Sequence, residues 1–167
     1  MRPLQLLSLV VAGAAVLAAP HAAAQGTRGA PSSLVVTAQN VTAIARGRAD
    51  QSVAQPGDEI RYRLVFTNVT AGPVKNIQFV DPIPSGMVYV PGSATSDSRV
   101  RAEYSIDGGK RYAAQPLISV VEDGKQVQKP ASAEQYTHVR WTLVGSLARG
   151  AQVSVEFRGR VKEAPAR

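Results

Sequence analysis

The chain has no cysteine, two histidines, one tryptophan and 5% aromatic residues in 167 positions. Each scarcity excludes something. Small exported domains often lean on disulfides because their cores are marginal; here packing and backbone ladders must suffice. His21 and His138 are the only histidines, so zinc, copper and haem sites, which need several such ligands at workable spacing, are not expected. The run of alternating aspartates that builds a calcium loop is missing as well. A nucleophile elbow, a phosphate loop and a dinucleotide fingerprint are all lacking, and one histidine beyond the first 24 residues leaves no nucleophile–base constellation. No enzyme activity and no cofactor are therefore expected.

Long apolar runs are nearly absent too. The single one, Leu4 to Ala19, follows the positive start Met1-Arg2 and precedes the small residues Ala22-Ala23-Ala24. Charge, apolar stretch and small-residue cleavage site in that order form a secretory signal peptide. The stretch is somewhat short and rich in alanine for a permanent span, which takes about 20 strongly apolar residues, and no basic stop-transfer flank follows it; an uncleaved N-terminal anchor is the alternative. Residues 1–24 are expected to be removed. The protein should then work outside the cytoplasm, in the periplasm, at the cell surface or in the medium, with no transmembrane segment after cleavage.

What the rest of the chain has is alternation and turns. Glycine (14) and proline (11) are plentiful. Residues 25–33 read as a flexible lead-in, and Val35, Val36, Val41 and Ile44 support one or two short strands over 34–44. Pro56-Gly57-Asp58 is a turn signal. Ile60, Tyr62, Leu64 and Phe66 then alternate with Arg61, Arg63, Val65 and Thr67, a strand with one buried face. Residues 74–80 predict another strand, stopped by Asp81-Pro82-Ile83-Pro84 because proline cannot donate to a ladder. Strands follow over 87–90 and 100–106. Asp107-Gly108-Gly109-Lys110 reads as a hairpin turn into a strand reaching Tyr112. Ser105 to Tyr112 also looks like an Asp-box hairpin, in which the aspartate caps the turn. Residues 117–121 form a strand ending in the turn 122–125, and the polar stretch 126–135 reads as a loop. Val139, Trp141 and Leu143, then Val153, Val155, Phe157 and Val161, close the pattern. Tyr62, Leu64, Phe66, Ile77, Phe79, Trp141, Val155 and Phe157 are the expected core, with Asp58 and Asp81 as turn caps.

Seven to nine short strands without helical periodicity predict an all-β antiparallel sandwich over 34–162, with a frayed tail at 163–167. A closed barrel is the alternative.

The order of several motifs carries a resemblance. Gln55-Pro56-Gly57-Asp58-Glu59-Ile60-Arg61-Tyr62 opens a strand that ends in Thr67-Asn68. Val80-Asp81-Pro82-Ile83-Pro84-Ser85-Gly86 and Leu147-Ala148-Arg149-Gly150 follow. Residues 53–162 thereby resemble the bacterial surface-protein conserved repeat domain, domain-of-unknown-function family eleven. The resemblance implies an immunoglobulin-like β-sandwich in envelope, surface or secreted proteins. It implies no known activity and no catalytic residues.

Charge is the remaining handle. The net charge is +7, with Arg2 in the expected signal peptide. Arg61 and Arg63 are expected on one outward face, and Arg158, Arg160 and Lys162 on another. Such faces attract polyanions; for an exported bacterial protein these are acidic glycans or anionic lipids rather than nucleic acid. The aromatics fall on the apolar side of their strands and form no stacking platform for bases. The expected function is a non-catalytic exported module acting by protein binding or assembly. The alternative is a binding protein for acidic glycan or anionic lipid through the five basic residues.

Overall fold

The computed structural model describes residues 33–163. The expected signal peptide, the lead-in up to residue 32 and residues 164–167 lie outside the described residues.

Two antiparallel sheets face each other. In the first, β1 (Ser33–Asn40), β2 (Glu59–Thr67), β12 (Gln152–Val161) and β5 (Met87–Tyr89) lie side by side in that order, and β6 (Thr95–Ser96) pairs with the middle of β12. The second has the order β4 (Gln78–Pro82), β10 (His138–Leu143), β7 (Val100–Ser105). Short pairs extend the frame: β3 (Val74–Lys75) with β11 (Ser146–Leu147), and a separate hairpin of β8 (Leu117–Glu122) with β9 (Lys125–Pro130). The first sheet thus has five strands, four of them abreast because β5 and β6 share the far flank of β12, against three in the second, in keeping with an immunoglobulin-like sandwich. Here the last strand, β12, takes the place beside the second.

The alternating apolar residues explain why the sheets stack. Leu64 from β2 and Val153, Val155 and Phe157 from β12 meet Phe79 from β4 and Val139, Trp141 and Leu143 from β10; all are buried. Trp141 lies 6.2 Å from Phe157 between ring centres, bridging the two layers. Tyr62, Phe66 and Ile77 pack on this core from its rim and are only partly buried.

Several expectations are corrected. Residues 41–45 form no strand but a one-turn helix, α1 (Val41–Ala45), because the Asn40 side chain accepts the Ala43 N–H and caps it. The strand expected over 74–80 breaks at Asn76, whose backbone is left-handed (φ 56°), and resumes as β4. β4 continues through Asp81 and Pro82, opposite Val139 and His138. It can do so because it is an edge strand, where a proline need not donate inward. No strand follows the Asp107 turn; a single bridge joins Tyr104 to Ala113. The stretch 126–130 is the second strand of a hairpin rather than a loop.

The two aspartates expected as caps divide. Asp58 is fully buried and its Oδ2 accepts the Gln55 N–H at 2.9 Å, closing the Pro56-Gly57 turn. Asp81 caps nothing. It sits half-buried on the core side of β4, in line with Phe79, and its Oδ2 has no hydrogen-bond partner. Burial pushes its carboxyl up to about 6, from an ordinary value near 3.8.

Candidate functional site

The first sheet's outer face gathers the charged residues. In the β2–β12 ladder Arg61 stands opposite Arg158, Glu59 opposite Arg160 and Arg63 opposite Glu156. Residues directly opposite in an antiparallel pair share a side. The two basic sets, expected on separate faces, therefore lie on one. Alternation within a strand tells inside from outside; it does not tell which strand lies next door.

Carboxylates balance much of this face. Glu59 accepts from Arg158 and from Arg160, each at 3.0 Å. Asp97 accepts the Ser154 N–H at 2.9 Å and its hydroxyl at 2.8 Å, and its charge acts on Arg63. Arg63 donates to Ser154 Oγ at 3.3 Å, and Arg61 donates to Gln39. Lys162 lies just past β12, exposed, its backbone N–H bonded to the Gly86 carbonyl. Arg61, Arg63, Arg158 and Arg160 thus share a face with Glu59, Glu156 and Asp97. Half-exposed pairs of this kind contribute about 0–1 kcal/mol each.

A different feature lies at the sheet's margin. β1 pairs with β2 along its whole length, from Ser33 opposite Thr67 to Asn40 opposite Ile60, and with no other strand among the described residues. Its outer edge offers unpaired backbone donors and acceptors. The opposing sheet is three strands wide against four abreast in this one, so β1 overhangs. Leu34 and Val36, on the core side with Leu64 and Phe66, remain 45% and 56% exposed; Val35 on the outer side is 53% exposed. Sheet edges are normally blunted by charge, proline, bulges or brevity. The other edges of the two facing sheets are blunted so, while β8 of the separate hairpin exposes Leu117 and Val121. β5 and β6 are three and two residues long. β4 ends in Pro82. β7 carries Arg101 and Glu103 and is bridged by Ala113. The β8–β9 hairpin carries Glu122, Lys125 and Lys129. β1, Ser-Leu-Val-Val-Thr-Ala-Gln-Asn, has no charge, proline or bulge.

A hollow of about 520 Å³ is lined by Tyr89, Tyr104, Tyr136 and Pro91 among others. Tyr104 and Tyr136 stack at 4.8 Å, and the Tyr89 and Tyr104 hydroxyls are 3.0 Å apart. Burial, then the hydrogen bond to Tyr89, raises the Tyr104 phenol far above its usual range; burial raises Tyr136 as well. Such phenols stay neutral. They pack and hydrogen-bond but do not serve as bases at neutral pH.

Other polar residues are structural. Asp107 accepts the Lys110 and Arg111 backbone N–H groups at 3.2 and 3.0 Å and the Ser105 hydroxyl at 2.8 Å, as an Asp-box turn requires. Its carboxyl is held far below the usual range, first by the Arg111 side chain. Tyr112 packs under the Arg140 guanidinium, 4.1 Å from the ring centre. His138 Nδ1 is 3.1 Å from the Thr137 hydroxyl. Among the described residues no three histidine, aspartate or glutamate side chains cluster as a metal site, and no helix is long and apolar enough to cross a membrane. No protein-family model matches the chain, and no curated protein is significantly similar to it.

Proposed function

We propose that this protein is a non-catalytic module of the bacterial envelope or exterior that acts by protein binding or assembly through strand addition. The observation that carries this reading is the unblunted edge of β1, with Leu34, Val35 and Val36 exposed beside open backbone groups. Addition of a strand there supplies main-chain hydrogen bonds, and alternate side chains supply specificity. The signal-peptide pattern and the resemblance to envelope and surface domains support the location. The uncharged phenols of the tyrosine hollow, and the structural duties of Asp107 and His138, favour binding over catalysis.

The test is a photo-crosslinking amino acid at Thr37, which shares the β1 edge, introduced in the native host. Crosslinked species of defined mass that disappear when Val36→Lys is added support the reading. A chain that crosslinks to nothing overturns it.

A second reading, binding of acidic glycan or anionic lipid, is favoured by the convergence of Arg61, Arg63, Arg158 and Arg160 on one face. Its signature is binding lost between low and physiological salt.

A further inference from the structure

We infer that the occupant of the β1 edge is the β1 edge of a second copy of this chain, so that two five-stranded sheets join into one across a two-fold axis. The inference rests on the strand-addition reading and names its partner.

Self-pairing makes demands that β1 meets. A two-fold interface brings each residue against its own copy or a symmetric neighbour, so any charge on the strand meets like charge. Residues Ser33–Asn40 carry none. Opposed residues must also share a side of the sheet. With the axis at Val35, Val35 faces Val35 of the other copy on the outer side, and Leu34 faces Val36 on the core side. All three exposed apolar residues then find apolar partners. The overhang of β1 beyond the second sheet leaves the core side of this junction open, so Leu34 and Val36 of both copies can close over it together.

The basic face does not oppose this arrangement. Arg63 lies opposite Thr37, one strand in from the edge. In the joined sheet the two Arg63 residues are three strand spacings and four residues apart, roughly 20 Å. That exceeds the Debye length of about 8 Å at physiological salt. Arg61, further from the axis, is more distant still. The hairpin β8–β9 does not occupy this edge within one chain; its strands pair with each other from Leu117–Pro130 to Glu122–Lys125. Five paired residues bury less than the roughly 1,200 Å² of a standard interface, so the dimer should form and dissociate with concentration.

The chain's lack of cysteine makes the test direct. Single-cysteine variants Val35→Cys and Thr37→Cys of the processed chain are treated with a mild oxidant and with a short bismaleimide. In the stated register the Val35→Cys thiols face each other, while those of Thr37→Cys are about four residues apart. The expected result is at least tenfold more crosslinked dimer for Val35→Cys. Light scattering of the unmodified chain should show its mass doubling with concentration, and Val36→Lys should weaken this at least tenfold with an unchanged circular dichroism spectrum. Equal crosslinking of the two cysteine variants together with a constant monomer mass overturns self-pairing. If the Thr37 photo-crosslinks in the host then carry a mass other than twice the chain, a different strand donor is the partner and the binding reading survives. If they carry none, both fall.

Discussion

Asn40 and Asp58 are buried against each other, the Asn40 amide Nδ2 donating to the Asp58 Oδ2 at 2.8 Å. The same amide group turns its oxygen to the Ala43 N–H, also at 2.8 Å. One side chain thus ends β1, starts α1 and fastens both to the turn that begins β2. Arg48 and the Gln55 N–H complete the set of donors on Asp58.

Asn40→Ala should cost about 1–2 kcal/mol, since it removes a helix cap and leaves Asp58 with one donor fewer in a buried place. Urea denaturation of the variant checks this. Wild-type stability would show that the knot is not tied as described.

The pH dependence should have two opposed limbs. The Asn40 amide, then the Gln55 N–H, holds the Asp58 carboxyl down to about 2. The stability it contributes is complete above about pH 4 and is lost as pH falls through 2. Asp81 works in the other direction. Its carboxyl sits at about 6 in the folded chain, so the advantage of its neutral form is complete below about pH 4 and is lost as pH rises through 6. Asp81→Asn should stabilise the chain at pH 8 by about 1–2 kcal/mol, less than the full shift implies because the group keeps some contact with water. It should also flatten the limb between pH 4 and 6. Thermal melts across pH 2–8 read both limbs, and an unchanged slope above pH 4 would count against the Asp81 assignment.

Trp141→Ala should destabilise by about 3–5 kcal/mol, the range for large core residues. Trp141 is fully buried and touches the other sheet through Phe157. Chemical denaturation measures it; a loss under 1 kcal/mol would mean that the two layers do not depend on this contact.

Glu59→Gln should release Arg158 and Arg160 and raise retention on an immobilised polyanion severalfold at low salt, with stability changed by no more than about 1 kcal/mol. If retention is unmoved, the basic face is a solvated surface and the polyanion reading fails.

The sandwich was legible because its central strands each bury one side. In β10 the alternation of Val139, Trp141 and Leu143 with half-buried polar neighbours is the register of the core itself. β9 was illegible for the converse reason: Lys125, Gln126, Gln128 and Lys129 are exposed on both sides, so no period of two is imposed on them. Pro82 read as a stop, because nothing local reveals that its strand is at an edge. Asn40 gave no sign of its cap, since a five-residue helix is too short for periodicity. The single basic face depended on which strand neighbours β2, and that information lies about 90 residues away.

That distance sets the order of events when the chain first folds. β2 has a local partner in β1, but its other partner is β12: Thr67 and Gln152 meet across 85 residues, and Glu59 and Arg160 across 101. A chain emerging N-terminus first cannot close its larger sheet until β12 is out. Contacts so remote in sequence make for slow folding. Throughout that interval β2 waits with one flank open, so the chain is most vulnerable to mispairing before β12 emerges.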